Sequence, residues 1–359
     1  METSAGDGKV AVRRSDSCSS MLPVKTSSNS FVLSGLRPTG RVHLGNYFGA
    51  VRNWVLLQDQ YRCYYCVVDW HALTSDYADP SGIHQATYDA VADWLAAGLD
   101  PDRCTIFLQS HVKEHAELHL LLSMITPIPW LERVPTFKEQ QQQLAEKELN
   151  TYGFLGYPLL QTADIAVYRA GLVPVGEDQA AHLEISREII RRFNSFYGEV
   201  LVEPQALFTE TPKVPGLDGR KMSKSYGNTI GLTAAEDEIR KLVMTMFTDP
   251  DRIRRTDPGN PDICNLFQFH RLFSDEETVN RVDRECRTAA IGCVDDKKLL
   301  ASIMIESLAP FRRRREEIDR DPGMVWEVLR RGNEQARERA AETMEQVRAA
   351  LKIDFPELR

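Results

Sequence analysis

Two short segments of this chain hold the residue types that handle phosphate. The run Gly219-Arg220-Lys221-Met222-Ser223-Lys224-Ser225-Tyr226-Gly227-Asn228 sets two lysines three positions apart among small hydroxyl residues, with glycine on either side. A loop of that composition moves, closes over a triphosphate and neutralises charge on departing pyrophosphate. Far upstream, Ser34-Gly35-Leu36-Arg37-Pro38-Thr39-Gly40-Arg41-Val42-His43-Leu44-Gly45-Asn46 carries three glycines, which let backbone approach a ligand closely. A helix following this turn offers free N–H groups and a positive dipole end to phosphate. His43 and Asn46 donate hydrogen bonds to phosphoryl oxygens. Each segment also has a plain reading, as a strand–helix turn or a basic surface loop. Their occurrence together, with a sheet between them, favours phosphate.

Acidic residues form a second set. Asp164 interrupts the apolar stretch Tyr157-Pro158-Leu159-Leu160-Gln161-Thr162-Ala163-Asp164-Ile165. A buried carboxylate is costly unless it finds donors; a surface acid paired with Arg169 is the alternative. Gln161 lies three residues earlier, on the same helix face. Gly176-Glu177-Asp178-Gln179 follows a predicted strand. Two acids repel phosphate, so they suit ribose hydroxyls or an α-ammonium group; Asp178 also fits a helix N-cap.

These residues need a frame, and the hydropathy pattern supplies one. Phe31 to Gly35, Cys63 to Asp69, Thr105 to Gln109 and Leu172 to Val175 read as strands. Helices are predicted over about 45–60, over 81–97, from Glu114, and over about 178–197. Strand–helix alternation predicts an α/β fold with a parallel, doubly wound sheet of the Rossmann type. Ligands bind outside the carboxyl ends of such strands, where the residues above fall. From Thr233 onward the pattern is helical, ending in the Ala-, Glu- and Arg-rich run 333–351. The predicted organisation is a disordered tail at 1–30, a catalytic domain at 31–232 and an all-helical domain at 233–359.

Composition sets outer bounds. Hydrophobic content of 42% with 27% charged residues fits a soluble globular protein. No apolar run approaches the ~20 residues that span a bilayer, so no membrane association is expected. A net charge of −8 argues against a generic polyanion coat but leaves room for a local basic face. Candidates are Arg187, Arg191 and Arg192; Arg252, Arg254 and Arg255; and Arg312 to Arg315, each equally readable as a solvated helix face.

The motifs carry a resemblance. Thr39 to Asn46 resembles the HIGH signature of class I aminoacyl-tRNA synthetases, and Lys221 to Ser225 matches their KMSKS signature letter for letter. Val67-Val68-Asp69-Trp70-His71-Ala72-Leu73-Thr74, Tyr157 to Ile165, and Val173-Pro174-Val175-Gly176-Glu177-Asp178-Gln179 resemble the bacterial tryptophanyl-tRNA synthetases. The resemblance runs from about Phe31 to the C-terminus. It implies ATP with Mg²⁺, L-tryptophan and tRNA(Trp) as reactants, a cytoplasmic homodimer, and anticodon reading by the helical domain. It implies catalysis by His43, Asn46, Lys221 and Lys224. ATP contacts fall to Arg37, Pro38, Thr39, Gly45, Asn46, Gly176, Glu177, Asp178, Lys221, Met222, Ser223, Lys224 and Ser225. Tryptophan contacts fall to His71, Tyr157, Gln161, Asp164 and Gln179. An indole N–H is a donor only, so an aspartate at the base of an apolar slot selects tryptophan over phenylalanine, and the resemblance gives Asp164 that role. Arg37 stands where many tryptophan enzymes have glutamine, and some carry methionine at the position of Gln161. Tyrosyl-tRNA synthetases share the architecture and are the nearest rival. Behind them stand a silent paralogue that only binds tRNA or senses tryptophan, and a transferase that makes a small-molecule adenylate.

The chain has seven cysteines, an odd count at wide spacing that points to a reducing compartment. Cys63-Tyr64-Tyr65-Cys66 has CxxC spacing but falls in a predicted buried strand, where neighbours alternate faces, against a redox or zinc role. Cys264, Cys286 and Cys293 resemble a branch of tryptophan enzymes that hold a four-iron, four-sulfur cluster through a fourth cysteine. Asp296 stands in that fourth place. These four residues are the candidate metal ligands; the plainer reading is three buried free thiols.

Overall fold

The computed structural model describes residues 31–134, 150–176, 180–209, 212 and 214–358. The predicted tail at 1–30, and Glu177, Asp178 and Gln179, lie outside the described residues. The sheet has five strands, β1 (Phe31–Leu36), β2 (Arg62–Val67), β3 (Cys104–Leu108), β4 (Leu172–Val175) and β5 (Gln205–Phe208), in the order β3-β2-β1-β4-β5. Every neighbouring pair is parallel. Parallel strands need crossovers that cover both faces, which is why Cys63 through Val67 are all buried. Strand order reverses between β1 and β4, so the crevice for a ligand opens at the carboxyl ends of these two strands.

The predicted fold class is the observed one; the differences are local. β5 is the unpredicted strand: it is four residues long, and only Leu207 is buried, which leaves little hydropathic signal. The first helix is interrupted, with α-helical Leu44–Asn46, π-helical Tyr47–Val51 and α-helical Arg52–Leu57. Helix Ile83–Ala97 ends at Gly98, whose φ of 110° permits a left-handed cap returning its N–H to Leu95 and Trp94. Beneath it Trp54 stacks on Tyr65 at 4.7 Å and meets the edge of Trp94 at 5.1 Å.

The chain forms two compact units, each discontinuous in sequence. One holds 31–42, the described residues between 48 and 212, and 317–358; the other holds 43–47 and 214–316. The reason for the first grouping is helix Pro322–Leu351, which lies along β3. A Cβ at Gly332 would sit 1.8 Å from the Ile106 carbonyl oxygen, so only glycine lets the helix approach that closely. Next to it the Leu108 N–H donates to Asn333 Oδ1 at 2.8 Å, and Thr105 Oγ1 donates to Gln335 Oε1 at 3.1 Å. The Asn333 side chain thus takes up a backbone donor at the edge of β3 that no strand covers. Farther along, the Arg348 guanidinium grips the Glu117 carboxylate with two hydrogen bonds.

The second unit is helical, with Glu236–Thr245, Asn265–Phe273, Glu276–Arg287 and most of Cys293–Arg320. Its core includes Leu266, Phe269, Val282, Leu300, Met304 and Leu308. Asp275 caps the helix Glu276–Arg287 by accepting the Thr278 N–H at 2.7 Å.

Candidate active site

In the sheet unit, helix Tyr157–Val167 carries Asp164 into a buried polar cluster. Gln109, at the carboxyl end of β3, donates through Nε2 to both carboxylate oxygens at 2.8 and 2.9 Å. His71 Nε2–H donates to Oδ2 at 2.9 Å, and His115 Nδ1–H donates to Oδ1 at 2.6 Å. A carboxylate only accepts, so these ring nitrogens carry the hydrogens, and the Tyr168 hydroxyl lies 2.7 Å from the other His115 nitrogen. Burial alone would push the Asp164 carboxyl up; the hydrogen bonds from His115 and His71 outweigh it and hold the group well below the usual carboxylate range. Gln109 is fixed in turn, because its Oε1 accepts the Trp70 N–H at 3.1 Å. Asp164 is therefore ionised and held by donors from three separate segments.

Around this cluster two buried polar atoms have no partner among the described residues, Gln161 Oε1 and His71 Nδ1. Tyr157 stands edge-on to His71 at 5.2 Å. Burial raises its hydroxyl pKa, with the nearby Arg37 cation pulling the other way. Arg37 leaves β1 and donates to Ser75 Oγ at 3.3 Å. The turn starts from Gly35, where a Cβ would press 2.9 Å from the Cys66 carbonyl oxygen, and passes through Gly40 at φ 86°.

In the helical unit, the segment 43–47 meets the lysine loop. His43 caps the helix start, its Nδ1 accepting the Asn46 N–H at 3.3 Å. The remaining ring nitrogen, Nε2, is then the hydrogen donor. Burial, with help from the Lys224 cation, lowers the His43 pKa to about 4, so the ring is neutral at pH 7. Gly45 donates its N–H to Met222 Sδ at 3.3 Å, and the Leu44 N–H reaches the Ile230 carbonyl at 2.9 Å. Met222 is buried, while Lys221 and Ser225 are exposed. Asn228 shapes the loop: its Oδ1 accepts the Ser223 N–H at 2.8 Å, and its Nδ2 donates to Asp218 and to the Lys221 carbonyl.

The structure thus joins His71, Tyr157 and Asp164 in one cluster, and His43, Gly45 and Asn46 with Met222 in another. Pro38 and Thr39 lie in the turn after β1, and Gly176 follows β4. Sequence reasoning missed Gln109, His115, Tyr168 and Asn228. Gln109 stood at a predicted strand end, the place where polar residues matter in this fold; His115 and Tyr168 gave no local signal. The basic cluster at 187–192 is committed locally: Arg187 and Arg191 pair with Glu184 and Glu203, and Arg192 donates to the Ile125 carbonyl.

A parallel sheet with its polar residues at strand ends, and a lysine segment anchored on a helix start, define a nucleotide-binding enzyme of the Rossmann type. Comparison with known proteins narrows the class. The family model for class I tRNA synthetases (W and Y) matches residues 25–309, and the chain belongs to that family of ATP-dependent aminoacyl-tRNA ligases. It is 52% identical over 326 residues to the tryptophan–tRNA ligase of Thermotoga maritima, covering 90% of this chain and 99% of the relative. The tryptophan–tRNA ligase of Aquifex aeolicus is 42% identical over 392 residues, covering 90% and 99%. Among solved structures, tryptophanyl-tRNA synthetase from Campylobacter jejuni, complexed with ADP and tryptophan, aligns with a TM-score of 0.81 at 33% identity, covering 90% and 99%.

The cysteine sets answer differently from one another. Cys63 and Cys66 are buried in β2, and burial pushes Cys63 up to about 11, consistent with inert core thiols. Cys264, Cys286, Cys293 and Asp296 do not fit an iron–sulfur cluster. Asp296 Oδ1 is engaged by His270 Nε2 at 3.0 Å. Arg252 places its Nη1 3.8 Å from the sulfur of Cys286 and 3.8 Å from that of Cys293. Among the described residues no group of three His, Cys, Asp or Glu is arranged to hold a metal ion.

Proposed function

We propose that the chain is a tryptophan–tRNA ligase, which joins L-tryptophan to AMP with release of pyrophosphate and transfers the tryptophanyl group to tRNA(Trp). The observation that carries the substrate choice is the buried Asp164 carboxylate, ionised and held by His71, Gln109 and His115. A phenylalanine ring offers such a floor nothing, whereas an indole offers an N–H. Asp164 and, one turn earlier, the unpartnered Gln161 Oε1 receive that donor, with His71 and Tyr157 beside them; Gln179 is a further tryptophan contact by resemblance to the family. A site built to bond a substrate N–H rejects analogues that lack it by factors of about 10⁴ or more.

The tryptophan carboxylate attacks the α-phosphate in line. It is ionised at pH 7, so no general base is required, and catalysis is positioning with charge stabilisation. Neutral His43 donates from Nε2 and Asn46 from its amide to phosphoryl oxygens. Lys221 and Lys224 stabilise charge on departing pyrophosphate. Arg37, Pro38, Thr39, Gly45, Gly176, Glu177, Asp178 and the backbone of Met222 to Ser225 complete the ATP contacts. Mg²⁺ arrives on the triphosphate oxygens, its usual carriers. The adenylate is then attacked by the terminal ribose 2′-OH of tRNA. Helices after residue 233 read the anticodon, basic side chains meeting phosphates and rings or guanidinium planes meeting bases. By resemblance to the family, the working form is a cytoplasmic homodimer. Among the described residues no helix is long and apolar enough to cross a membrane.

ATP–pyrophosphate exchange tests this reading. Exchange that depends on tryptophan, with tyrosine inactive, followed by charging of tRNA(Trp), supports it. Tyrosine dependence overturns the substrate assignment, and no exchange with either amino acid overturns the activity.

A further inference from the structure

The convergence of Cys264, Cys286, Cys293 and Asp296 leaves a question that the aminoacylation chemistry does not answer: what holds this corner together. Arg252 lies against two of these residues, its Nη1 3.8 Å from the sulfurs of Cys286 and Cys293. Its Nη2 donates to the backbone carbonyls of Arg255 at 3.0 Å and Ile291 at 2.7 Å. Its Nη1 points at the two sulfurs, and Gly259 closes the remaining side. A Cβ on Gly259 would lie 2.6 Å from the Cys286 sulfur and 3.2 Å from Arg252 Cδ. The Gly259 N–H also donates to the Cys286 carbonyl at 3.0 Å. On the far side His270, fully buried, bonds Ser274 Oγ at 2.7 Å and Asp296 at 3.0 Å, so the carboxylate already has its donor.

We propose that Arg252 is the resident cation of this corner, a guanidinium bridge between Cys286 and Cys293 that ties the 249–263 segment to helix Glu276–Arg287 and to the start of helix Cys293–Arg320, in a form that takes up no iron–sulfur cluster. A guanidinium suits the place because it is planar, permanently charged and able to spread donors over two carbonyls and two sulfurs at once. Metal ligation by these thiols requires space that the guanidinium fills, and a fourth ligand that is bonded to His270 instead.

Two measurements test the bridge on the whole chain. Anaerobic reconstitution of the wild type with iron and sulfide should leave no broad visible absorption and no stoichiometric iron or acid-labile sulfide after gel filtration. Recovery of a cluster spectrum with several irons per chain overturns the proposal. Separately, Arg252→Met should lower Tm by several degrees and speed labelling of Cys286 and Cys293 by an aromatic disulfide about tenfold or more, with Arg252→Lys intermediate. A methionine variant with wild-type Tm and labelling rates also overturns it. If Arg252→Met proves insoluble, the lysine variant and the reconstitution still decide.

Discussion

His115 Nδ1 stands 2.6 Å from the Asp164 carboxylate, both are buried, and Tyr168 backs the histidine from the other side. The carboxylate at the centre of the proposed tryptophan slot is thus positioned from behind by groups that need not touch substrate. His115→Phe removes one donor and strands the Tyr168 hydroxyl. We expect the KM for tryptophan to rise by about 10- to 100-fold, with the KM for ATP within about twofold. Asp164→Asn should act in the same direction and more strongly. Exchange kinetics at varied tryptophan check both, and an unchanged tryptophan KM in Asp164→Asn contradicts the indole assignment.

Lys224→Ala should lower kcat for exchange by about 10²–10³-fold while tryptophan binding changes little, because a charge that matters in the transition state acts on kcat. Equal losses in kcat and in tryptophan affinity count against a role on pyrophosphate.

His43 predicts a pH dependence. Its folded pKa, about 4, lies below the ordinary 6.5, so between these values the unfolded chain binds the proton and the folded one does not. Stability from the neutral ring is complete above about 6.5 and is lost as pH falls toward about 4. Between pH 7.5 and 5 the wild type should lose more Tm than His43→Asn. Parallel losses in the two proteins would mean that the ring is not held neutral.

Gly332→Ala should cost about 3 kcal/mol or more, since its Cβ would overlap the Ile106 carbonyl and force the helix off β3. Gly171→Ala, where a Cβ meets nothing within 4 Å, is the control and should stay within about 0.5 kcal/mol. Urea denaturation of the two variants gives the comparison.

How much was legible in the sequence varied with how local the cause was. β4 reads directly as Leu172 to Val175 because an unbroken apolar run between turns has few other uses. Asp164 stood out as a charge in an apolar helix, and the lysine segment by composition alone. What holds them was hidden: His71, Gln109 and His115 reach Asp164 from three segments, so no spacing rule links them. β5 was lost because an outer strand of four residues barely needs an apolar face. The close approach of Pro322–Leu351 to β3 needs a glycine at 332, whose meaning appears only when the Ile106 carbonyl is beside it. The resemblance carried by Cys264, Cys286 and Cys293 pointed to metal, and what argues otherwise is visible only in three dimensions: Arg252 beside two of the sulfurs and His270 on the Asp296 carboxylate.

The cover on β3 has a consequence for how the protein is made. All five strands are synthesised before residue 322, so during translation the sheet exists for on the order of ten seconds without the helix that seals it. A nascent chain stalled in that interval presents unpaired strand groups to its neighbours on the same polysome. Premature stop codons upstream of Gly332 are therefore expected to yield inclusion bodies rather than a shortened soluble protein.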